Sequence, residues 1–248
     1  MPRYRLTIEY DGTRFFGWQI QADGKGHTVQ GILEKALNKL HNGFPARLFC
    51  AGRTDSGVHA IAQVAHVDLP KIWKPFELCN AINGNVRPHL VSVNAVQEVG
   101  ENFHARFSAL NRHYMFRILN RRSPPTLERE KVWHVPVHLD AVAMHEAAQF
   151  LVGHHDFSTF RDVQCQARSP MKTIDQFEVT RVGDMIEVNV QARSFLHQQV
   201  RSMTGSLKKV GDGRWKPIDV KLALAAKNRT ACGPVAPPEG LYLVSVTY

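Results

Sequence analysis

The segment with the most reactive side chains lies between two glycines, at positions 52 and 57. A cation, a hydroxyl and a carboxylate follow one another between them, as Arg53, Thr54 and Asp55. Glycine at both ends allows the backbone to approach a bound molecule closely. A carboxylate on such a loop can serve as a nucleophile or a base. The alternative is an Asx-turn or a helix cap, the common role of aspartate near glycine, and spacing alone favours it.

Arginine and aromatic residues alternate over residues 102–117. This pattern suits an RNA surface, where rings stack on bases and guanidinium groups contact phosphates. The alternative is a core strand with solvated basic ends, and we expect Phe103, Phe107 and Phe116 to lie in the core. Tyr114 shares a strand face with Phe116, so its ring should be buried and its hydroxyl should need a partner.

Two further segments carry polar side chains beside aromatic ones. His197 and Arg201 are four residues apart in a predicted helix, so they should share one helix face. An arginine beside an apolar stripe usually extends to solvent, and the alternative is a pair with a buried carboxylate such as Asp55. Residues 156–161 form a polar and aromatic loop, which fits either an RNA contact or a structural role.

Neither a metal nor a nucleotide cofactor is expected. The four cysteines, at 50, 79, 165 and 232, form no C-x-x-C pair, so buried reduced thiols are the favoured interpretation. His154, His155 and Asp156 are adjacent, but adjacent side chains point in different directions and match no metal-binding spacing. The glycine patterns that hold nucleotide phosphates are absent from the sequence.

The charge balance favours a polyanionic partner. The 248 residues include 31 Lys and Arg against 22 Asp and Glu, a net charge of +9. Neutralising phosphates releases counterions, so a chain this basic is suited to nucleic acid, and simple solubility is the alternative. No run approaches the roughly 18 apolar residues of a membrane span, and no signal peptide is recognisable. We therefore expect a cytoplasmic protein.

The hydrophobic periodicity predicts an α+β fold made of two β-α-β-β-α-β halves. Each half, as in RNA-recognition or ferredoxin-like modules, should be an antiparallel sheet backed by helices, with an RNA-binding cleft between the halves. The predicted domains are residues 1–108 and 109–248. The predicted strands cover 3–10, 46–51, 62–69, 90–97, 113–120, 173–182, 185–192 and 241–247, and the helices cover 29–40, 76–82, 141–152, 195–210 and 219–227. Thr28 and Asp140 are the predicted helix caps, and Gly183-Asp184 is a predicted hairpin turn.

The segment from Gly52 to Ala60 resembles the active-site signature of the bacterial tRNA pseudouridine synthase A family. Other segments resemble family motifs in family order and cover nearly the whole chain; they are residues 10–13, 16–19, 103–109, 156–161, 195–201 and 240–243. Three positions, in two places, depart from the family pattern. Gln198-Gln199 stands where the family commonly has His-Met, and Ser202 stands where it commonly has Asn.

The resemblance implies specific roles for five residues. Asp55 is the essential catalytic residue, and Arg201 pairs with it. Tyr114 packs against the flipped uracil and accepts the C5 proton, directly or through water. Arg53 helps to displace the target base, and Leu241 lines the uracil pocket. We add His59, which follows the signature loop, as a substrate-binding residue.

The implied activity is isomerisation of uridine to pseudouridine at tRNA positions 38, 39 and 40, by a homodimer. This reaction needs no redox step and no net hydrolysis, which agrees with a single acidic residue in the signature. The competing hypotheses are an RNA-binding module or tRNA chaperone without catalysis, and a hydrolase that uses His59 or His197 with Asp55. The hydrolase lacks a nucleophile, and the Asp55, Tyr114 and Arg201 set favours the enzyme over the chaperone.

Overall fold

The computed structural model describes residues 1–21 and 26–248, which form a mixed α+β fold. In chain order its elements are β1 (Arg3–Tyr10), α1 (Val29–Leu40), β2 (Phe49–Cys50), β3 (His59–Asp68), α2 (Pro75–Val86), β4 (Val91–Val99), β5 (Asn111–Leu119), β6 (Trp133–His134), α3 (Ala141–Gln149), β7 (Gly153–Asp156), β8 (Met171–Val182), β9 (Met185–Ala192), α4 (Gln199–Gly211), α5 (Pro217–Ala226) and β10 (Leu241–Thr247). Short 3-10 turns interrupt the loops between them. No helix within the described ranges is long and apolar enough to cross a membrane.

The chain divides into two compact units. The first comprises Met1–Leu110 and Tyr242–Tyr248, and the second comprises Asn111–Leu241. The first unit therefore includes most of β10, which is far in sequence from the other strands of that unit. Tyr242 and Leu243 pair with β3 in parallel, which accounts for this placement.

The first unit is a sheet with β1 in its interior. β1 pairs antiparallel with β4 on one side and with β3 on the other, and β2 pairs with the far end of β3. Alternate residues of β1, from Tyr4 to Tyr10, are buried, as the sequence alternation predicts. Thr28 caps α1, since its hydroxyl accepts a hydrogen bond from the Gly31 N–H at 3.2 Å. This helix buries Leu33 and Leu37 completely.

The second unit is an antiparallel sheet in the order β5-β9-β8-β7, and β6 pairs with β5 in parallel. The predicted hairpin at Gly183-Asp184 joins β8 to β9, and Gly183 adopts the positive φ that such a turn uses. Asp140 caps α3 by accepting hydrogen bonds from the Val142 and Ala143 N–H groups at 2.9 and 3.0 Å. α3 packs on β8, α4 and α5.

Several predicted bounds were wrong. The strand expected over 46–51 is limited to Phe49–Cys50. The helix expected from 195 begins only at Gln199, because Gln198 adopts a left-handed conformation with φ 57°. His197 therefore precedes the helix, and the expectation that it shares a helix face with Arg201 was wrong. α2 continues to Val86, and α3 ends at Gln149 rather than at 152.

Candidate active site

The loop that carries Asp55 spans residues 51–58 and joins β2 to β3. Its first residues are held by β3, where the Ala51 N–H donates to the Val64 carbonyl at 2.8 Å and Gln63 Nε2 donates to the Gly52 carbonyl at 2.6 Å. At its end the Val58 N–H donates to the Asp55 carbonyl at 3.2 Å. Asp55 itself is half-buried. A carboxylate here is held on a backbone tied down at both ends.

Residues 10–18, which we call the bracing segment, hold the middle of this loop. The Trp18 N–H donates to the Thr54 carbonyl at 3.0 Å, and the Tyr10 hydroxyl lies 2.7 Å from the Thr54 hydroxyl. The Phe15 carbonyl accepts a hydrogen bond from the Ser56 hydroxyl at 3.1 Å. The residues on both sides of Asp55 are thus fixed by a segment about forty residues earlier in the chain.

Two glycines of the bracing segment allow this close approach. A Cβ atom at Gly12 would lie 2.0 Å from the Val58 carbonyl oxygen, and one at Gly17 would lie 2.7 Å from the Thr54 oxygen. Gly17 also has a φ of +77°, which side-chain-bearing residues rarely adopt. The bracing segment therefore serves as a support for the loop that carries Asp55.

His59 is almost completely buried, with 2% of its surface exposed, directly after the loop. Its ring stacks on Tyr242 at 4.7 Å, and its Nδ1 lies 3.0 Å from the Gly12 nitrogen and 3.1 Å from an Asp11 oxygen. An unprotonated Nδ1 accepts from the Gly12 N–H, and a protonated one donates to Asp11. In either state the ring ties the loop end to the bracing segment. Its substrate-binding role stays a prediction.

Arg53 is exposed, unlike the residues around it. Its guanidinium makes no hydrogen bond or ion pair within residues 1–21 and 26–248. A cation that none of these residues engages is available to a ligand. The base-displacing role that the family resemblance implies for Arg53 stays a prediction.

Tyr114 and Leu241 belong to the second unit, and both are buried. Tyr114 lies in β5 with 8% of its surface exposed, as predicted, and it meets Phe195 edge to face at 5.3 Å. Leu241 begins β10 and is 6% exposed. A buried tyrosine ring beside another aromatic ring provides an apolar surface that suits a pyrimidine base.

Arg201 lies in the first turns of α4 and is held by the segment after α5. Its Nε donates to the Ala236 carbonyl at 2.8 Å, and its own carbonyl accepts from the Ala236 N–H at 3.1 Å. Gly205, one turn later, permits this contact, because a Cβ there would lie 1.7 Å from the Pro234 carbonyl oxygen. The guanidinium is therefore held in a defined position rather than extended freely to solvent.

Two of the three positions that depart from the family pattern are internal to the second unit, whereas Gln198 is half-buried just before α4. Gln199 is fully buried, and its Oε1 accepts from the Leu196 N–H at 2.8 Å at the start of α4. Ser202 is also fully buried, and its hydroxyl accepts from Arg229 Nη1 at 3.3 Å. These side chains serve the packing around α4.

The loop at 156–161 is built around buried groups. Phe157, Thr159 and Phe160 are fully buried, and the Thr159 hydroxyl donates to the Ala223 carbonyl at 2.6 Å. The hydrogen bond from Ser158 lowers the pKa of Asp156, which keeps that carboxylate charged. Arg161 Nη2 donates to the Cys165 and Ala167 carbonyls. The structural role is favoured over an RNA contact for the rings of this loop.

The expectation that Phe107 lies in the core was wrong, because 70% of its surface is exposed. Phe116 is fully buried as predicted, and Phe103 is half-buried. The segment before β5 is a tight turn, in which the Ser108 N–H donates to the His104 carbonyl at 2.9 Å. A turn has no strand alternation, and here it directs the small Ala105 inward instead of Phe107.

The described residues contain no group of three or more His, Cys, Asp or Glu side chains that could hold a metal ion. None of the four cysteines forms a disulfide; Cys165 is buried, and the other three are half-buried rather than buried as expected. His154 and His155 contact a threonine hydroxyl and the Val152 carbonyl, at 2.9 and 2.8 Å. His154 is exposed and His155 is half-buried, and both contacts lie within the second unit.

Gln63 is the site residue that the sequence reasoning missed. It is fully buried in β3, and its side chain supports Gly52. The available signal was a polar residue within an otherwise apolar strand, which has to find a hydrogen-bond partner when buried.

Comparison with known proteins shows the family to which the chain belongs. A family model described as tRNA pseudouridine synthase matches residues 6–108 and 147–248. The "tRNA pseudouridine synthase A" of Parvibaculum lavamentivorans is 57% identical over 248 residues, which cover 100% of both chains. The same named protein of Sinorhizobium medicae is 55% identical over 250 residues, again with 100% of both chains covered. The chain therefore belongs to the tRNA pseudouridine synthase family.

A solved structure titled "Crystal Structure of a Cbf5-Nop10-Gar1 Complex" aligns with 97% of this chain and 48% of that chain. The TM-score of this alignment is 0.36, and the sequence identity is 10%.

Proposed function

We propose that this protein is a tRNA pseudouridine synthase, an isomerase that converts uridine to pseudouridine in tRNA. The observation that carries the proposal is the loop of Asp55, which is fixed on both sides by β3 and the bracing segment. The full-length relation to proteins named tRNA pseudouridine synthase A supports the same reaction.

The reaction breaks the N1–C1′ glycosidic bond, turns the uracil and joins C5 to C1′. The proton on C5 leaves, and N1 ends with a proton, so atoms balance without an oxidant or net water. One positioned carboxylate is sufficient as nucleophile or base, and water has to be excluded because hydrolysis would leave an abasic site. The braced loop provides the required positioning, since small displacements of a catalytic group are costly.

Our proposal gives each predicted residue a role on one uridine. Asp55 reacts with the nucleoside, Arg201 favours its ionised form, and Tyr114 contacts the uracil and accepts the C5 proton directly or through water. Arg53 displaces the base from its stack, and Leu241 lines the uracil pocket. The exposed guanidinium of Arg53 and the buried ring of Tyr114 support this division of roles.

Finer properties follow from the same proposal. The target uridines are those at tRNA positions 38, 39 and 40, the enzyme is a cytoplasmic homodimer, and its halves bind the RNA together. We also propose that each half is a variant of one β-α-β-β-α-β arrangement. The strand order β4-β1-β3 with β2 beside β3 supports this for the first half. Sedimentation of the pure protein, with and without tRNA, tests the dimer.

The reaction is tested by tritium release from unmodified tRNA that carries 5-³H-uridine. Wild-type protein should release tritium, and Asp55→Ala should release none while retaining tRNA binding. Asp184→Ala, which removes an exposed hairpin carboxylate, is the control and should match wild type. Full turnover by Asp55→Ala would show that Asp55 is not the catalytic residue. Binding without release by the wild type would favour an RNA chaperone instead.

A further inference from the structure

Three aromatic rings form a continuous row on the surface of the first unit. His104 lies 4.4 Å from Phe107 and 5.9 Å from Phe49, measured between ring centroids. Phe107 is 70% exposed and Phe49 is 41% exposed, while His104 is half-buried between them. We call Phe49, His104 and Phe107 the ring platform. Phe49 and Phe107 leave apolar ring surface in contact with solvent, and the packing of the first unit does not require that exposure.

The ring platform is held rigidly from below. His66 is 2% exposed, and Phe49 stacks on it at 5.1 Å with an interplanar angle of 19°. The Ala105 N–H donates to His66 Nδ1 at 3.1 Å, and the Tyr248 hydroxyl donates to the Ala105 carbonyl at 2.8 Å. The turn that carries His104 and Phe107 is thereby fixed on both sides. Rigid rings bind a flat ligand with little loss of conformational entropy.

Cations flank the ring platform. The guanidinium carbon of Arg47 lies 5.6 Å from the centroid of Phe49, and that of Arg106 lies 5.7 Å from the centroid of Phe107. The neighbouring carboxylate of Asp68 is already neutralised by two hydrogen bonds from Arg3, at 2.7 and 2.8 Å. The rings favour a ligand with flat bases, and the arginines beside them favour negative charge on that ligand. Because the nearby acid is already paired with Arg3, it does not oppose such a ligand.

The ring platform is within reach of an RNA whose target lies at Asp55. Phe49 precedes Asp55 by six residues, so the chain limits the distance between their Cα atoms to about 20 Å. A folded RNA substrate is larger than this span. One RNA molecule can therefore place a uridine at the loop and another nucleotide on the rings.

We propose that the ring platform binds an unpaired base of the tRNA substrate by stacking on Phe107 and His104, with Arg47 and Arg106 contacting the adjacent phosphates. The inference rests on the proposed function, because that function supplies the RNA. A second copy of this chain is the weaker alternative. Three rings provide much less surface than the roughly 800 Å² per partner of a standard protein interface, whereas one base requires only a single ring face.

The test compares three substitutions at Phe107 by tRNA affinity, measured in the Asp55→Ala background, and by steady-state pseudouridine formation. Phe107→Ala and Phe107→Leu should each weaken tRNA binding by about tenfold or more, because base stacking is lost. Phe107→Trp should bind like the parent, because it keeps a ring. In the active enzyme the loss should appear in KM, with kcat unchanged at saturating tRNA.

Phe76→Ala is the matched control. Phe76 is 76% exposed near the start of α2, and it contacts no other ring or guanidinium within residues 1–21 and 26–248. It should match the parent in every assay. Unchanged thermal stability of Phe107→Ala would show that the fold is intact, as its exposure leads us to expect.

Two outcomes would overturn the inference. In the first, Phe107→Ala binds tRNA as tightly as the parent. In the second, it changes self-association in sedimentation and leaves tRNA affinity unaltered, which would assign the rings to a second copy. Wild-type tritium release, measured in the same series, distinguishes a failure of the proposed reaction from a failure of the ring-platform proposal. Its absence would reject the proposed reaction, whereas the affinity comparison would still decide the role of the rings.

Discussion

Gly12 of the bracing segment packs directly against the end of the loop that carries Asp55. A methyl group there would meet the Val58 carbonyl oxygen at 2.0 Å. We expect Gly12→Ala to lower the free energy of unfolding by about 1–3 kcal/mol, as overpacking does. It should also reduce kcat by about tenfold or more, because the loop of Asp55 has to move.

Gly84 provides the control for this substitution. It is an exposed glycine in α2, and a Cβ there would meet nothing within 4 Å. Gly84→Ala should stabilise the protein by about 0.5–1 kcal/mol and leave kcat unchanged. Denaturant unfolding and steady-state kinetics of both variants measure the two effects. An unchanged kcat in Gly12→Ala would contradict the bracing role of residues 10–18.

His66, below the ring platform, makes stability depend on pH. Burial, followed by the neighbouring charges of His104 and Arg3, lowers its pKa from 6.5 to about 4. Between these values the unfolded chain binds more protons than the folded one. Stability should therefore fall as the pH falls from about 6.5 to about 4, by up to about 1.4 kcal/mol per pH unit for this one group.

Urea unfolding at several pH values, with wild type and His66→Asn, measures this contribution. Asparagine does not titrate in this range, and its Oδ1 can replace Nδ1 as the acceptor for the Ala105 N–H. The variant should lose less stability than wild type over the same window. Equal slopes for the two proteins would show that His66 is not responsible.

Among the elements, the first residues of α1 are joined by hydrogen bonds to the last residues of the bracing segment. The Thr28 hydroxyl caps the helix, and the Val29 and Gln30 N–H groups donate to the Gly17 and Trp18 carbonyls. Thr28→Ala should cost about 1 kcal/mol of stability. Thr28→Ser keeps the hydroxyl acceptor and should cost less, which thermal or urea unfolding can resolve. Equal losses in both variants would mean that the methyl group, not the cap, stabilises the helix start.

The elements that could be predicted are those with a strong local signal. The alternation of β1, the hairpin at Gly183-Asp184 and the caps at Thr28 and Asp140 agree with the structure. The start of α4 could not be predicted, because it depends on a left-handed residue, Gln198, and on a side-chain contact of Gln199. Neither is visible in hydrophobic periodicity.

At the scale of the whole molecule, the net charge of +9 should govern how RNA binding responds to salt. The logarithm of tRNA affinity should fall linearly with the logarithm of salt concentration, and affinity should drop about tenfold or more between 50 and 200 mM. Phe107→Ala should keep the slope, because stacking releases no counterions. A flat response of the wild type would contradict a large phosphate-binding surface.

The family, the reaction class and the motif that carries Asp55 could all be predicted from the sequence. The motifs that identify them consist of particular residue types at close spacing, so they can be recognised in the sequence alone. Its local patterns also determined most helices and strands, since periodicity and capping act over a few residues.

The residues that pack beside that motif could be identified only from the folded structure. The bracing segment supports a loop about forty residues away, Gln63 is a buried support, and Phe107 faces solvent from a tight turn. The folded structure also places Tyr242–Tyr248 in the first unit, because β10 pairs with β3. Each of these depends on contacts between residues distant in sequence. Such contacts are determined by how the elements pack, and local propensity contains no information about them.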